Sequence, residues 1–457
     1  TPQFYIGLRF TTMLPEPAPM DDARNANTPI LWRRHFPWLH LFRAFRIAID
    51  PRKLLLAGVA MLFLSAGELG IDRLPFAPQD EPAAMQDESA AMQDEPAAMQ
   101  WPWEQSAGWD EISGIDGQPE SVLAQTTRAF AANCQNVLRP ISSFVEPARL
   151  LFDPQLNWPD AAYAWTKLLW TLLVWSLFGG AITRMAAVQF ARDERIGMLT
   201  SLKFAATRLL SYFTAPLLPL AGIGFFWILC MLVGVVGRIP VVGESIVGAL
   251  WILPLVFSLL MALILIGVAA GWPLMYATIS AEGSDAFDGL SRSHSYVYDR
   301  PWHYLWYAVV AVIHGTILIA FVTLLFSLTV YLAGWSVASG IGRTPMIDLY
   351  SAAPEQLGGT AARQPDPRHE TEMGGKLAGA WLKFAALLQA GFAYSYFWTA
   401  TTIIYFLLRK SDDGTNFDEV YLPDQAEEDE LLPLVGVADS DQPVIERPPP
   451  EQPDAAS

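Results

Sequence analysis

One histidine and several hydroxyl and amide side chains interrupt stretches of this sequence that are otherwise apolar. We predict that they form an intramembrane polar site made of His314, Gln389, Tyr394, Tyr396 and Thr399. A polar group in lipid costs free energy unless another group satisfies it, so such residues either do chemistry or hold helices together. For His314 the chemistry would be a proton relay or a ligand contact. For the others it would be lining a substrate cavity, and hydrogen bonding between helices is the alternative for all five.

Two further groups of residues have the side-chain types of an active site, but their spacing argues against one. Ser291, Ser293, His294 and Asp299 offer the nucleophile, base and acid of a hydrolase triad. Residues one or two positions apart on a helix point in different directions, so this set does not predict a base held beside a nucleophile. His369 has two glutamates nearby in a proline-rich segment, a weak pattern for a metal site. The sequence therefore predicts no catalytic residue, no metal ligand and no cofactor.

Four arginines are predicted to contact lipid phosphates: Arg43, Arg46, Arg292 and Arg300. The first two lie on the polar face of segment 31–53, whose apolar residues recur at helical spacing. Such a helix suits the membrane interface, with its cations at the phosphates and its rings in the acyl boundary. An ordinary helix packed against protein is the alternative. For Arg292 and Arg300, the alternative to a phosphate is the carboxylate of a partner.

The composition separates an apolar interior from acidic appendages. Hydrophobic residues make up 52% of the 457 residues and charged residues 16%, and the formal net charge is −17. The acids lie mainly outside the apolar stretches. A surface this negative gains nothing from counterion release, so nucleic acid is not a predicted partner. The two cysteines, Cys134 in a loop and Cys230 in an apolar stretch, predict neither a disulfide nor a metal site.

Six apolar stretches are each long enough to cross a bilayer, because a hydrocarbon core about 30 Å thick takes about 20 helical residues. Their predicted limits are 54–71, 163–185, 212–236, 246–276, 304–335 and 381–408. The predicted fold class is therefore all-α. It is a polytopic membrane protein with interfacial amphipathic helices and disordered termini.

Lysine and arginine residues near the predicted crossings set the expected orientation. They concentrate before the first crossing, between the second and the third, and after the sixth. Lys53 is expected at the membrane surface ahead of the first crossing, and Arg184 in the loop between the second and the third. Both termini should then be cytoplasmic, and an even number of crossings also places them on one side.

The composition of the two chain ends and of one internal repeat predicts disorder. Residues 1–30 are predicted to be a mobile arm, and 409–457 an acidic tail that could dock protein partners. Residues 79–100 carry the heptad QDE[PS]AAM in three copies. Prolines and paired acids interrupt this repeat, so a low-complexity linker is favoured over a coiled coil.

Two segments are expected on the extracytoplasmic side. Segment 72–160 should contain a small helical cap, with a helix near 120–138, and 336–380 should form a loop. Between them, 163–335 is predicted to form a four-helix membrane core with two cytoplasmic surface helices. The core could be two parallel repeats of crossing, surface helix and crossing, although the sequence similarity between its halves is slight.

Two stretches of the chain carry a resemblance. The run AEGSDAFDGLSRSHSYVYDRPWHYLWY and the later run FLLRKSDDGTNFDEVYL resemble an uncharacterised group of bacterial multi-pass membrane proteins of the planctomycete type. The resemblance covers about the second to the sixth crossing and the start of the tail. It implies a membrane location, and it implies no activity, substrate or catalytic residue.

These observations favour a non-enzymatic assembly or scaffolding component of the bacterial inner membrane. Its predicted partners are the lipid bilayer and proteins that bind the acidic tail and the surface helices. A transporter or permease subunit is the alternative, suggested by the possible repeat, the prolines near the third and fourth crossings and the polar sixth crossing. A membrane-embedded lipid-modifying enzyme is a third hypothesis, without a recognisable set of converging catalytic groups.

Overall fold

The computed structural model describes seven stretches of the chain: 36–75, 122–152, 156–240, 242–341, 372–422, 435–437 and 443–445. The predicted arm, the heptad repeat and most of the predicted loop 336–380 lie outside the described residues. What is described is almost entirely helical.

Twelve α-helices occur in the described residues, after a short 3-10 helix at Pro37–Phe42. They are α1 Arg43–Ala48, α2 Pro51–Ile71, α3 Val122–Leu150, α4 Trp158–Arg192, α5 Met198–Thr207, α6 Leu209–Thr214, α7 Leu217–Val236, α8 Gly243–Leu250, α9 Ile252–Glu282, α10 Ala286–Asp299, α11 Pro301–Ile341 and α12 Glu372–Asp412. Two short antiparallel strands follow, β1 Val435–Val437 and β2 Pro443–Ile445.

Local sequence explains where several helices begin and end. Asp50 caps α2 by accepting a hydrogen bond from the Arg52 amide at 3.1 Å, and proline at the first helical position has a suitable φ. The helices α4 and α9 both end at a residue with left-handed backbone, Asp193 and Gly283. In each case a short helix follows, α5 or α10. This shared pattern fits the predicted pair of units, but whether they are repeats stays a prediction.

Five helical segments are long and apolar enough to cross a membrane: α2, α4, α6 with α7, α9 and α11. The helix α4 is largely buried by the rest of the chain. In contrast, α7 and the first half of α9 expose most of their apolar side chains. These five apolar helices are compatible with an integral membrane protein.

The predicted sixth crossing forms a helix, α12, but it is not one of the five apolar helices. Its residues 391–408 are all buried, packed against α2, α4, α9 and α11. Because other helices surround it, this helix does not need an apolar surface, which explains why it tolerates tyrosine and threonine.

Several helices continue past the predicted limits of the crossings, and the membrane limits themselves stay predictions. The second predicted crossing ends at 185, whereas α4 continues to Arg192, so Arg184 lies within a helix and is buried. The fourth, 246–276, is divided at Trp251 into α8 and α9, and α9 runs on to Glu282. The ends of α11 and α12 also extend into the predicted loop 336–380.

The helix predicted at 120–138 as part of a cap is longer and packs one face against the bundle. It continues through Pro140 and Pro147 to Leu150 as α3. Phe144 lies against Trp272 of α9, with ring centroids 4.1 Å apart, and Val137 joins the buried cluster with α11. The helix α3 is thus part of the helical core, because its apolar stripe fills the space between α4, α9 and α11.

The start of the described chain packs against protein on the face predicted to enter lipid. Leu41 is buried, as are Ala44 and Ile47, and Ser395 of α12 donates a hydrogen bond to the Ala48 carbonyl at 2.7 Å. Phe42 remains half-exposed. The packed-helix alternative therefore describes this buried face, and a location in the membrane interface stays a prediction.

The prediction of a disordered tail from residue 409 was wrong for its first part. The helix α12 reaches Asp412, and the chain to Leu422 folds back along the ends of α9 and α10. Val420 is buried there. Backbone hydrogen bonds and side-chain contacts order this acidic segment. These contacts could not be predicted from its composition.

Candidate functional site

His314 and Tyr396, two of the residues predicted to form an intramembrane site, do meet between α11 and α12. The His314 Nδ1 atom lies 3.1 Å from the Tyr396 hydroxyl, which donates its proton to the Ala311 carbonyl at 2.7 Å. Since the hydroxyl has only one proton, His314 must be the donor through Nδ1. Phe42 packs its ring edge to face with the imidazole at 4.7 Å. The pair therefore joins two helices.

The other three predicted residues do not complete a site with this pair. Gln389 donates to Thr323 at 2.9 Å on the same helix contact, about two turns along α12 from Tyr396. Tyr394 points toward α4, where its ring stacks on Trp175 with centroids 5.0 Å apart. Thr399 is fully buried, and its hydroxyl has no hydrogen-bond partner among the described residues. The polar residues of α12 thus do not converge on one site.

Gly315 permits the close contact between α11 and α12, which gives a test of its importance. A Cβ atom at this position would overlap the Tyr396 ring, which two hydrogen bonds hold in place. We expect Gly315→Ala to lower the free energy of unfolding by about 1–3 kcal/mol. In the same helix, Gly340→Ala meets nothing within 4 Å and should be neutral or slightly stabilising. Denaturation in detergent would check both, and equal effects would contradict this role of Gly315.

Aromatic rings fill the middle of the bundle between α4, α9 and α12. Trp398 lies 4.8 Å from Tyr276 and 5.7 Å from Trp175, measured between ring centroids. All three side chains are almost completely buried. Next to them, the hydroxyl of Ser280 lies 2.7 Å from Thr183 and 2.8 Å from Tyr212. These polar groups bond to one another, so the layer holds the helices together.

Lys53, expected at the membrane surface, is fully buried instead. Its ammonium group donates to the Ile47 carbonyl at 2.8 Å and to the Gln189 side chain at 2.7 Å. The reason is that the 3-10 helix, α1 and α4 enclose the start of α2. The residue therefore links three elements.

Charged residues converge at one end of the bundle, which we call the basic end. This end contains the start of α2, the ends of α4, α9 and α12, and the start of α11. Glu282 is the centre of this group. It accepts hydrogen bonds from Tyr405 at 2.5 Å and from Arg292 at 2.9 Å, and it lies 3.4 Å from Arg409. Only 11% of the Glu282 side chain is exposed, and the same is true of Arg409.

Tyr421 connects the chain after α12 to the charged residues of the basic end. Its amide donates to the Ala281 carbonyl at 2.8 Å, and its own carbonyl accepts from Arg184 at 2.7 Å. Arg184 also donates to the Ser280 carbonyl at 2.7 Å. The Tyr421 ring covers Gly283, where a Cβ atom would overlap it. One buried arginine thus connects α4, α9 and the returning chain.

Two further contacts join α10 and the start of α11 to the end of α12. Tyr296 donates to Asp413 at 2.6 Å, and Arg300 pairs with Asp412 at 3.2 Å. Burial, and then the hydrogen bond with Asp413, raises the pKa of Tyr296. The phenol therefore stays protonated and remains the donor at neutral pH.

Three of the four arginines predicted to contact lipid phosphates have carboxylate partners within the chain. Arg43 pairs with Asp193 at 2.9 Å, Arg292 with Glu282 at 2.8 Å, and Arg300 with Asp412. Arg46 is exposed. Contact with lipid phosphates stays a prediction for all four.

These groups surround an open cleft of about 640 Å³, which we call the basic-end cleft. Its lining consists of Arg192, Ala281, Glu282, Ser284, Asp288, Arg292, Arg409, Asp418, Glu419, Val420 and Tyr421. Both arginines and acids line it. Across the described part of the chain, no three His, Cys, Asp or Glu side chains come close enough to hold a metal ion.

The serine and histidine side chains of α10 do not form a triad. His294 and Ser293 both contact the Leu290 carbonyl, and Asp299 accepts from Ser295 at 2.5 Å. Burial lowers the pKa of His294. Among the residues that the structure describes, the only hydrogen bond of the imidazole is to the Leu290 carbonyl, so no carboxylate orients it.

No family model, curated protein or solved structure matches this chain. The resemblance to bacterial multi-pass membrane proteins therefore stays a prediction. The two runs that carry it are nevertheless the ones that meet at the basic end, because one includes Glu282 and Tyr296 and the other Arg409 and Tyr421.

Sequence reasoning missed the residues that organise this end of the bundle. Arg184, Lys53 and Glu282 were assigned to surfaces or left out. A signal was present for Arg184, which stands in the apolar run AITRMAAVQF, where an ionisable residue calls for a partner. Nothing in the sequence indicated that Tyr421 would be that partner, since 237 residues separate the two.

Proposed function

We propose that this chain is a non-enzymatic integral protein of the bacterial inner membrane that assembles or supports other membrane components. The five apolar helices and α12 would make six crossings, with both termini cytoplasmic. The concentration of Arg192, Arg195, Arg208 and Arg409 at one end supports this orientation. The basic-end cleft would then face the cytoplasm and receive a protein partner.

The observation that carries this proposal is how polar groups are used inside the bundle. His314, Tyr396 and Gln389 bond one helix to another, and stacked aromatic rings fill the middle. Exposed charges lie toward the helix ends instead, and at the basic end Asp418 and Glu419 are open to solvent. Polar groups within the helices thus stabilise the fold and leave the cleft for recognition.

A charge reversal in the cleft tests this role. We expect the wild-type chain, purified in mild detergent from its native membrane, to retain a companion protein in fixed stoichiometry. Asp418→Lys should remove the companion, because its side chain makes no bond within the described structure and reversal changes only the cleft. Glu194→Lys alters an exposed acid at the same end outside the cleft lining and should retain it. No stoichiometric companion, or equal loss in both variants, would refute the proposal.

Transport is the second candidate, favoured by one observation. Besides the basic-end cleft, a cavity lined by α2, α3, α4 and α12 opens toward the other end of the bundle. Trp175 and Tyr394 stack between the two openings. If the chain moves a solute, His314→Leu or Tyr396→Phe should reduce flux in reconstituted vesicles while the protein stays folded. Unchanged flux would leave assembly as the function.

A further inference from the structure

The second cavity, which we call the far cavity, has a volume of about 330 Å³ and carries balanced charge. Two acids and two bases line it: Glu68 of α2, Arg139 and Glu146 of α3, and Lys167 of α4. Arg139 and Glu146 are seven residues apart and thus share one face of α3, about 10 Å from each other along the axis. Three helices, α2, α3 and α4, therefore supply the charges of a cavity that α12 also lines.

No two of these four charges are in direct contact, although the Glu68 carboxylate attracts the Lys167 ammonium from a distance. Within the described residues, no ion pair of 4 Å or less joins any of the four to an opposite charge. Lys167 contacts the ring of Tyr163, with its ammonium 4.9 Å from the centroid. Elsewhere in the bundle, at the basic end, arginines meet carboxylates at about 3 Å. The far cavity thus offers two positive and two negative groups to a molecule placed between them.

Two hydroxyl groups of largely buried residues also line this cavity. Tyr394 is 9% exposed and Thr171 is 7% exposed, and both contribute to the lining. Neither hydroxyl makes a hydrogen bond to another described residue, whereas neighbouring Ser176 and Tyr276 lie 3.3 Å apart. Neither oxygen is among the enclosed polar atoms that lack a partner, so both hydroxyls are open to the cavity and can hydrogen-bond a molecule placed there.

The position of the cavity along the helices indicates the layer of the membrane that it would face. Tyr394 lies 15 residues before Arg409 and Glu68 lies 17 residues after Pro51, so both are about 22–26 Å from the basic end. A hydrocarbon core is about 30 Å thick. The charged rim would therefore approach the opposite headgroup layer.

We propose that the far cavity binds a zwitterion that carries a primary ammonium group and an anionic group, the chemistry of a phosphoethanolamine headgroup. Arg139 and Lys167 would bind the phosphate, and Glu68 and Glu146 the ammonium group. A ligand with one sign of charge would leave two like charges of the cavity uncompensated. This site is separate from the basic-end cleft and does not depend on a protein partner.

A primary ammonium is preferred over a quaternary one because the cavity is rich in hydrogen-bond acceptors. The hydroxyls of Ser142 and Ser143 donate their protons to backbone carbonyls at 2.9 and 2.8 Å, which leaves their oxygens as acceptors. Glu68 and Glu146 add carboxylate oxygens. A choline group has no N–H to donate and could not satisfy them.

Lipid titration of the full chain tests this proposal. Phosphatidylethanolamine and phosphatidylcholine would be added in detergent and the bound lipid counted by native mass spectrometry. We expect tighter binding of phosphatidylethanolamine. Arg139→Gln and Glu146→Gln should each weaken it about tenfold, the loss typical of one charged hydrogen bond. Tyr394→Phe keeps the ring on Trp175 and should cause a smaller loss.

Matched controls and a soluble competitor decide the outcome. Arg238→Gln and Glu244→Gln remove the same charges from exposed positions outside the cavity and should leave binding unchanged. Competition by glycerophosphoethanolamine would identify a free zwitterion as sufficient, and lack of competition would identify the lipid itself. Equal affinity for the two lipids, no saturable binding, or equal effects of cavity and control variants would overturn the proposal.

Discussion

Glu282→Gln should lower the free energy of unfolding by roughly 3 kcal/mol, one of the two largest effects expected in this chain. The carboxylate is shared by Tyr405, Arg292 and Arg409. An amide in its place presents N–H groups to donors and removes the negative charge. Arg409 would then be left nearly buried without its counter-charge. Equilibrium unfolding in detergent, followed by tryptophan fluorescence, would measure the loss.

Glu194→Gln is the matched control for this substitution. It removes an acid from the same end of the bundle, but the side chain is exposed, so the change should stay within about 0.5 kcal/mol. A Glu282 variant as stable as this control would mean that the charged group at the basic end contributes nothing to the fold.

Arg184→Met should also destabilise the protein by roughly 3 kcal/mol, and it should release the chain that follows α12. The variant keeps much of the aliphatic stem but leaves the carbonyls of Ser280 and Tyr421 without their charged donor. It also removes the guanidinium from the Phe204 ring, 4.3 Å away. Limited proteolysis should then cut within 413–422 faster than in the wild type.

Two comparisons make the Arg184 prediction specific. Arg195→Met removes an exposed arginine three residues beyond the end of α4 and should change neither stability nor proteolysis. Arg184→Lys keeps the charge, but a lysine ammonium cannot bond both carbonyls as the planar guanidinium does. The stability and the proteolysis rate of this variant should therefore lie between those of the wild type and of Arg184→Met. If segment 413–422 resists proteolysis in Arg184→Met as well as in the wild type, other contacts hold Tyr421 in place.

Helix formation followed from the sequence because apolar length is a local property. All six predicted crossings contain helices, and five helical segments have the length and composition to cross a membrane. Their ends were less predictable. The helix α4 continues past residue 185 because α5 and the chain around Tyr421 cover its polar end. A local sequence pattern does not predict this packing, because Tyr421 is distant in sequence.

The candidate site was predictable only in part. A polar residue within an apolar run is visible in the sequence, so His314 and Tyr396 could be named, and the two do meet. Their relation to Tyr394 was not visible, because the rotation of α12 against α4 and α11 decides which residues face each neighbour. The pairing of Glu282 with Arg409 was even harder to predict, since 127 positions separate the two residues in the chain. Each alone resembles an ordinary charge at a helix end.

The sequence by itself determined that this chain is built from long apolar helices with acidic segments between and after them. Hydrophobicity and helical period act over tens of neighbouring residues, so they can be read in order along the chain. Only the tertiary structure decided which charges are buried and paired. Lys53 and Arg184 each bond a residue distant in sequence, Gln189 and Tyr421, and the same side chains on isolated helices would lie in solvent.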